Sequence, residues 1–408
     1  MKILYFGTAC SSETFHLINQ NSKIKSSAAP QSFQNLLLKG LIEADVDLDI
    51  KTVLPIAHYP ISTKFFIQNK KDKIVHGKYT TYLPAINLLG LKQVCYLMDS
   101  VQTVIKWNLK NKKEKERIIL IYGMYMPVSL PLVLLSKLFG FKTVTFVNDL
   151  PELMFKYTKE SGIKSYLIPI YIKLSRFIND KFDGYLCVSK YLGEIVNSKN
   201  KPNEIIEAFA DIENGTSDLL PLKREKAIMY AGTLHKQFGI DKLLYAFKEI
   251  KDPELELWLF GTGDLANEII SEAKNDSRIK YFGMKSWEEV VEHEKRAQLL
   301  VNPRFSGDEY TKYSFPSKTM EYMLSGTPVL MTKLKGMDEE YFKHVYITTN
   351  ETVLGWKEAL EKTLQRNPKE LEIKGKGARQ FLIKNKNLRA QTNKLVDLLY
   401  RVLEKRNL

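Results

Sequence analysis

The sequence predicts an α/β protein built from two doubly wound, Rossmann-like domains. Three observations carry this. The 408 residues suit two domains of ordinary size, and the apolar content of 44% supplies a core for each. From residue 227 onward, short β-rich runs alternate with longer amphipathic segments, the signature of a parallel sheet covered by helices. Around residues 200–226, NSKNKPNE and ENGTSDLLPLKREK are polar, charged and turn-rich, as a linker would be. The expected boundaries are 1–205 for a first domain, 206–226 for the linker and 227–385 for a second. A last helix over 386–408 has two readings: it packs back on the first domain or finishes the second.

In the second half, AIMYAG, LELWLFG, IKYFG, QLLVNP, PVLMT and VYITT have strand character. IDKLLYAFKEI, DLANEIISEAK, SWEEVVEHEKRA and SKTMEYMLS have helical periodicity between them. Several of these strands end in Gly232, Gly261, Gly283 or Pro303, where small residues let a ligand approach the backbone. In the first half, KILYFG predicts a buried first strand and SFQNLLLKGLIEA the helix after it. RIILIYG and FKTVTFVND form a strand pair around the helix PLVLLSKLFG, and DGYLCVS precedes KYLGEIVNS. Residues 55–115 are irregular, and the lysine-rich patches NKKDK and KNKKEKER within them are expected to be exposed loops or helix edges.

The net charge is +14, and it is uneven. Residues 1–200 hold 27 Lys and Arg against 15 Asp and Glu, whereas the remainder hold 34 against 32. A basic first half suits an anionic partner, such as lipid headgroups or a pyrophosphate-bearing acceptor. Solvated surface charge is the competing reading. No zinc-finger spacing, RNP motif or recognition helix points to nucleic acid. The stretch 166–182, YLIPIYIKLSRFINDKF, mixes aromatic and aliphatic residues with Lys173, Arg176 and Lys181. It fits an interfacial helix on a membrane and equally a core helix with a basic face. Cys10, Cys95 and Cys187 are far apart without CxxC pairing, which argues against a disulfide framework or zinc site and suits a cytoplasmic location. MKILYFG is too short for a signal peptide, and no apolar run is long enough to span a bilayer.

The segment richest in chemistry is residues 302–330, NPRFSGDEYTKYSFPSKTMEYMLSGTPVL. A loop ends in Phe315, Pro316 and Ser317 and a helix comes next. Pro suits a first helical turn, and Ser314 or Ser317 is placed to cap its amides. Such a helix start attracts phosphate through exposed N–H groups and the helix dipole. Lys318 adds a full positive charge, and Glu321 shares its face of the helix. A carboxylate there can accept hydrogen bonds from ribose hydroxyls. An ordinary surface Lys–Glu pair is the competing reading.

These motifs resemble the retaining glycosyltransferases of family four, which have the GT-B fold of two Rossmann-like domains around an interdomain cleft. The family pattern is Glu-x7-Glu, a small residue, Gly, x, Pro and a hydrophobic strand. Glu321 matches the second Glu, and MLSGTPVL matches the remainder of the pattern. IMYAGTLHKQFGIDKLLYAF, LWLFGTGD, IKYFGMKSWEEV and AQLLVNPR occur in the family's order, and DGYLCVSKYLGEIV resembles its strand before the linker. The variant PR…YSFPSK…EYM is typical of the subset making capsules and exopolysaccharides. Two positions depart from the pattern. Tyr313 stands where the first Glu would be, and the loop Arg and Lys that neutralise the donor diphosphate fall on Thr233 and Phe238. Lys236, Lys318 and Arg304 are the candidates to supply that charge instead.

The resemblance implies a hexosyltransferase that moves a sugar from a UDP- or GDP-sugar with retention and without a protein nucleophile. Electrostatic stabilisation of the leaving diphosphate would then do most of the work, with no metal or other cofactor required. The implied acceptor is a saccharide on a polyprenyl diphosphate at the inner face of the cell membrane. The rival from another class is a non-catalytic, GT-B-shaped binding subunit, which Tyr313 and Thr233 favour. Further candidates come from strand ends. Gly7 and Thr8 offer close approach to a phosphate, and Gly232 does the same in the second half. Met284 is placed to pack on the base. Asp149 or Glu152 would orient the acceptor hydroxyl or act as base, with helix capping as the competing role.

Overall fold

Lys2–Gly7 forms β1, and Ile3 to Phe6 are almost wholly excluded from water, as expected of a strand covered on both faces. The computed structural model describes residues 1–74, 77–150, 163–210 and 224–404. The chain divides into two units, Met1–Phe209 with Leu388–Leu408, and Ala210–Asn387. Glu152 and most of the expected linker lie outside the described residues.

In the first unit, β1 is followed by α1 (Ser12–Gln20), α2 (Ala29–Glu43) and β2 (Asp47–Thr52). Four short strands come next: β3 (Phe66–Ile67), β4 (Lys71–Lys73), β5 (Tyr79–Tyr82) and β6 (Ala85–Ile86). Then come α3 (Leu91–Lys110), β7 (Arg117–Tyr122), α4 (Met126–Phe139), β8 (Lys142–Val147), α5 (Ile163–Asn179), β9 (Gly184–Cys187), α6 (Lys190–Val196) and β10 (Asn203–Ile205). The sheet order is β10-β9-β8-β7-β1-β2-β5-β4, parallel except for the β4–β5 pair.

The long helix α3 corrects the reading of residues 55–115 as irregular. Tyr96, Ser100, Val104 and Trp107 recur at helical spacing and are buried, and the Trp107 indole donates to Asp49 Oδ2 at 2.9 Å. The surrounding lysines hide this stripe without weakening it.

The second unit carries β11 (Glu225–Ala231), α7 (Ile240–Lys248), β12 (Glu256–Phe260), α8 (Ala266–Asn275), β13 (Ile279–Gly283) and α9 (Trp287–Arg296). They are followed by β14 (Ala297–Asn302), α10 (Ser317–Ser325), β15 (Val329–Thr332), α11 (Glu339–Phe342), β16 (Tyr346–Thr348), α12 (Val353–Leu364) and α13 (Pro368–Asn385). Its sheet, β13-β12-β11-β14-β15-β16, is parallel throughout. Residues alternate between the faces. Ile228, Leu257, Leu299 and Leu330 pack with Leu243, Phe247, Trp356 and Leu360 in one buried cluster. The strand order reverses between β11 and β14, and a crevice opens beyond the carboxyl ends of strands at such a point.

The last helix, α14 (Leu388–Glu404), belongs to the first unit. Leu395, Leu398, Leu399 and Val402 are buried, Gln391 donates to the Ala208 carbonyl at 2.8 Å, and Arg401 pairs with Glu204 at 2.8 Å.

Candidate functional site

The reversal point of the second sheet gathers most of the residues that the sequence marks. The Gly232 and Gly261 amides donate to Phe260 O (3.0 Å) and Gly283 O (2.7 Å), so the loops after β11, β12 and β13 lie side by side. Gly261 has φ of 117°, and a Cβ there would stand 1.9 Å from the Gly232 carbonyl oxygen. The loop after β11 makes a 3-10 turn over Lys236–Phe238 and enters α7 through Gly239, where a Cβ would stand 2.0 Å from Pro303 O. These contacts press the turn against the end of β14.

Two hydrogen-bonded links hold α10 over the same edge. The Tyr322 hydroxyl accepts from the Ala231 amide at 2.8 Å and donates to the Ala231 carbonyl at 3.0 Å. Asn302 Nδ2, at the end of β14, donates to Thr319 Oγ1 at 2.9 Å. The start of α10 is thereby fixed beside the ends of β11 and β14. Pro316 is its N-cap and no side chain caps it, which corrects the expectation that Ser314 or Ser317 would. Pro316 has no side-chain acceptor to offer, Ser317 is already the first helical residue, and the Ser314 hydroxyl oxygen is buried without a partner. Phe315 packs on Tyr341 with ring centres 5.3 Å apart. Lys318 Nζ donates to Glu321 Oε2 at 2.6 Å, both side chains being part-buried. Burial would lower the Lys318 ammonium, but the Glu321 charge and hydrogen bond prevail and hold it above its ordinary value.

The remaining candidates occupy the rim. The Arg304 guanidinium lies 4.9 Å from the centre of the Phe238 ring. A cation from the end of β14 therefore covers the position where the resemblance expected a lysine. Lys236 is well exposed and only 3.9 Å from Asp241 Oδ2, and Thr233 is exposed beside it. Met284 follows β13 and is largely solvent-accessible. Tyr313 closes the 3-10 turn Glu309–Lys312, its amide donating to Tyr310 O at 3.0 Å.

Gly7 and Asp149 belong to the first unit. The Gly7–Cys10 loop is poorly suited to an anion because its amides are in use: Thr8 N donates to Gln34 Oε1 at 2.7 Å and Cys10 N to Gln31 Oε1 at 3.1 Å. Asp149 follows β8 and accepts from Asn148 Nδ2 at 2.6 Å. Surrounding protein pushes its carboxyl above the usual range although the side chain still reaches solvent. A pocket of about 400 Å³ nearby in this unit is lined by Met124, Leu150, Arg176, Phe177, Asn179 and Ile195 among others.

Among the described residues no group of His, Cys, Asp and Glu side chains could hold a metal ion. The Asp-x-Asp pair Asp47 and Asp49 is engaged elsewhere in the first unit. Asp47 and Asp49 pair with Lys2 at 2.7 and 3.1 Å.

One residue close to the Lys318–Glu321 pair carries no mark in the sequence. Glu294, in the last turn of α9, is almost wholly buried, and neither carboxyl oxygen has a hydrogen-bond partner. Burial pushes it up to about 8, helped by the Glu321 charge and opposed by Lys318 and Lys295. In sequence it is one more acid in the charged run WEEVVEHEKR, and only packing separates it from its exposed neighbours.

Residues 225–366, all in the second unit, match the family model described as Glycosyl transferases group 1. No curated protein matches the sequence. Among solved structures, sucrose-phosphate synthase from Thermosynechococcus elongatus is similar at a TM-score of 0.64 and 14% identity, covering 99% of this chain and 100% of that one. The catalytic domain of starch synthase IV from Arabidopsis thaliana, bound to ADP and acarbose, gives 0.63 at 10% identity over 99% of each chain. Anabaena HepE in complex with UDP and glucose gives 0.57 at 14% identity, covering 98% of this chain and 99% of that one. The fold is GT-B, with two Rossmann-like domains.

Proposed function

We propose that this chain is a retaining glycosyltransferase that moves a hexose-type sugar from a UDP- or GDP-sugar to a lipid-linked saccharide in surface polysaccharide assembly. The observation that carries the reading is the start of α10. A helix N-terminus without a side-chain cap, Lys318 and Glu321 stand together at the reversal point of a parallel sheet, within the segment that matches group 1 glycosyl transferases. Lys318 and the leading amides of α10 suit the diphosphate, and Glu321 suits the ribose hydroxyls. Arg304 and Lys236 add positive charge at the rim. As the bond to the sugar breaks, negative charge grows on the diphosphate, and preorganised cations and amides stabilise it without reorganising. The acceptor hydroxyl then attacks from the face the diphosphate leaves and passes its proton to that diphosphate, and Asp149 is the candidate to orient it.

Membrane association is the second part of the proposal. On α5, Ile170, Leu174 and Phe177 are exposed alongside Lys173, and Lys181 lies 4.9 Å from the Phe177 ring centre. Apolar and basic side chains on one exposed face suit an anionic bilayer surface at which a lipid-linked acceptor would be met. Among the described residues no helix is long and apolar enough to cross a membrane.

The test is calorimetric titration with UDP, GDP, UDP-glucose and GDP-mannose. The wild type is expected to bind one nucleotide class selectively. Glu321→Ala should weaken it at least about tenfold, since a hydrogen bond to a charged group contributes about 1.5–3 kcal/mol. A second reading, a non-catalytic GT-B-shaped subunit, is favoured by Tyr313 standing where the family's first Glu would be. Failure of every nucleotide to bind would select it.

A further inference from the structure

We propose that Glu294 is a positioning residue of the donor site that acts through Lys318. The inference rests on the donor-site reading of α10 given above. Glu294 is held on a backbone that cannot easily move. Its carbonyl accepts from Thr327 Oγ1 at 2.6 Å, just beyond the end of α10. The part-buried Arg224 guanidinium donates to Lys295 O, Ala297 O and Gly326 O at 2.7, 3.1 and 2.9 Å, tying the end of α9 to the end of α10. The carboxyl therefore stays where the fold puts it, walled off from water with both oxygens unpartnered.

Two cations answer its charge, Lys318 from α10 and Lys295 beside it on α9. From α10, Lys318, Glu321 and Tyr322 face it; from its own helix, Lys295 does, with Arg379 of α13 acting on Lys295 in turn. The Tyr322 hydroxyl is committed to Ala231, Thr327 to the Glu294 carbonyl, and Arg224 to three carbonyls. Lys318 is the cation of this cluster that also stands at the helix start. While Glu294 holds its proton, Lys318 is shared only between Glu321 and an incoming diphosphate. Once Glu294 ionises, a buried carboxylate without a hydrogen-bond partner competes for the same ammonium and adds a second negative charge to the Lys318–Glu321 cluster. The upward shift caused by burial sets the expected pH range.

The experiment is titration of the full-length protein with UDP-glucose and GDP-mannose at pH 7, 8 and 9, comparing wild type with Glu294→Gln. With only the protonated form competent, wild-type affinity should fall about tenfold between pH 7 and 9. Glu294→Gln, which cannot ionise, should lose no more than about twofold over the same range. Ionisation of the nucleotide is common to both proteins and cancels in their ratio. Should Glu294→Gln fold poorly, Glu294→Leu carries the same expectation of a flat profile. Parallel pH profiles in wild type and variant would overturn the inference while leaving the donor site intact. A wild type that binds neither nucleotide sugar at pH 7 would overturn the donor-site reading and this inference with it.

Discussion

Burial of Glu294 has a consequence for folding that is separate from ligand binding. Burial pushes its carboxyl up to about 8 in the folded protein from an ordinary value of 4.5. Between those values the folded state keeps a proton that the unfolded chain releases. Folding stability therefore falls as pH rises through that window, by at most ~1.4 kcal/mol per unit from this group, and levels off above it. Glu294→Gln removes the dependence. Urea unfolding at about pH 5.5, 7 and 8.5 should show the variant gaining on wild type at each step. A constant difference across the series would mean that the carboxyl is not retained in its protonated form.

At the scale of elements, α10 is positioned more by Tyr322 and Asn302 than by its own propensity. Tyr322→Phe would leave the Ala231 amide and carbonyl without their buried partner, costing about 1–3 kcal/mol. The expected readout is a melting temperature lower by several degrees, with weaker nucleotide binding as the helix start loses its anchor. This also shows which parts of the site could be read from the chain. Lys318 and Glu321 were legible because i,i+3 spacing on a helix is a local property. The strands of the second half were legible because buried parallel strands are short continuous apolar runs. The bond from Tyr322 to Ala231 spans 91 residues and has no local signature. Nor had the uncapped helix start, since Ser314 and Ser317 look like caps until the backbone places Pro316 at that position. In α3 the buried positions were present at helical spacing but lay between lysine-rich flanks, which made the stretch read as irregular.

For the whole molecule, charge distribution and exposed surface point to the same half. The basic excess lies in residues 1–200, and the mixed apolar and basic face of α5 lies within them. Sedimentation with phosphatidylglycerol vesicles should bring the protein down, and phosphatidylcholine vesicles should not. Raising salt should weaken the association as the Debye length shortens to about 8 Å at 0.15 M. Lys173→Glu with Lys181→Glu should weaken it further, each lysine contributing about 1 kcal/mol near an anionic surface. Equal sedimentation of wild type and the double variant would remove α5 from the membrane reading.

The return of α14 to the first unit determines the order in which the protein can mature on a ribosome. Val402 presses against Gly184, where a Cβ would stand 2.5 Å from its Cγ2, and Thr392 Oγ1 occupies the space a Cβ on Gly40 would need. The second unit is complete once residue 387 has emerged, whereas the first, though most of it is made earlier, waits for α14 to cover β8, β9 and α2. The half synthesised first is thus the last to close. Until α14 has emerged, the apolar surface it covers must be sheltered by the emerging chain or by chaperones.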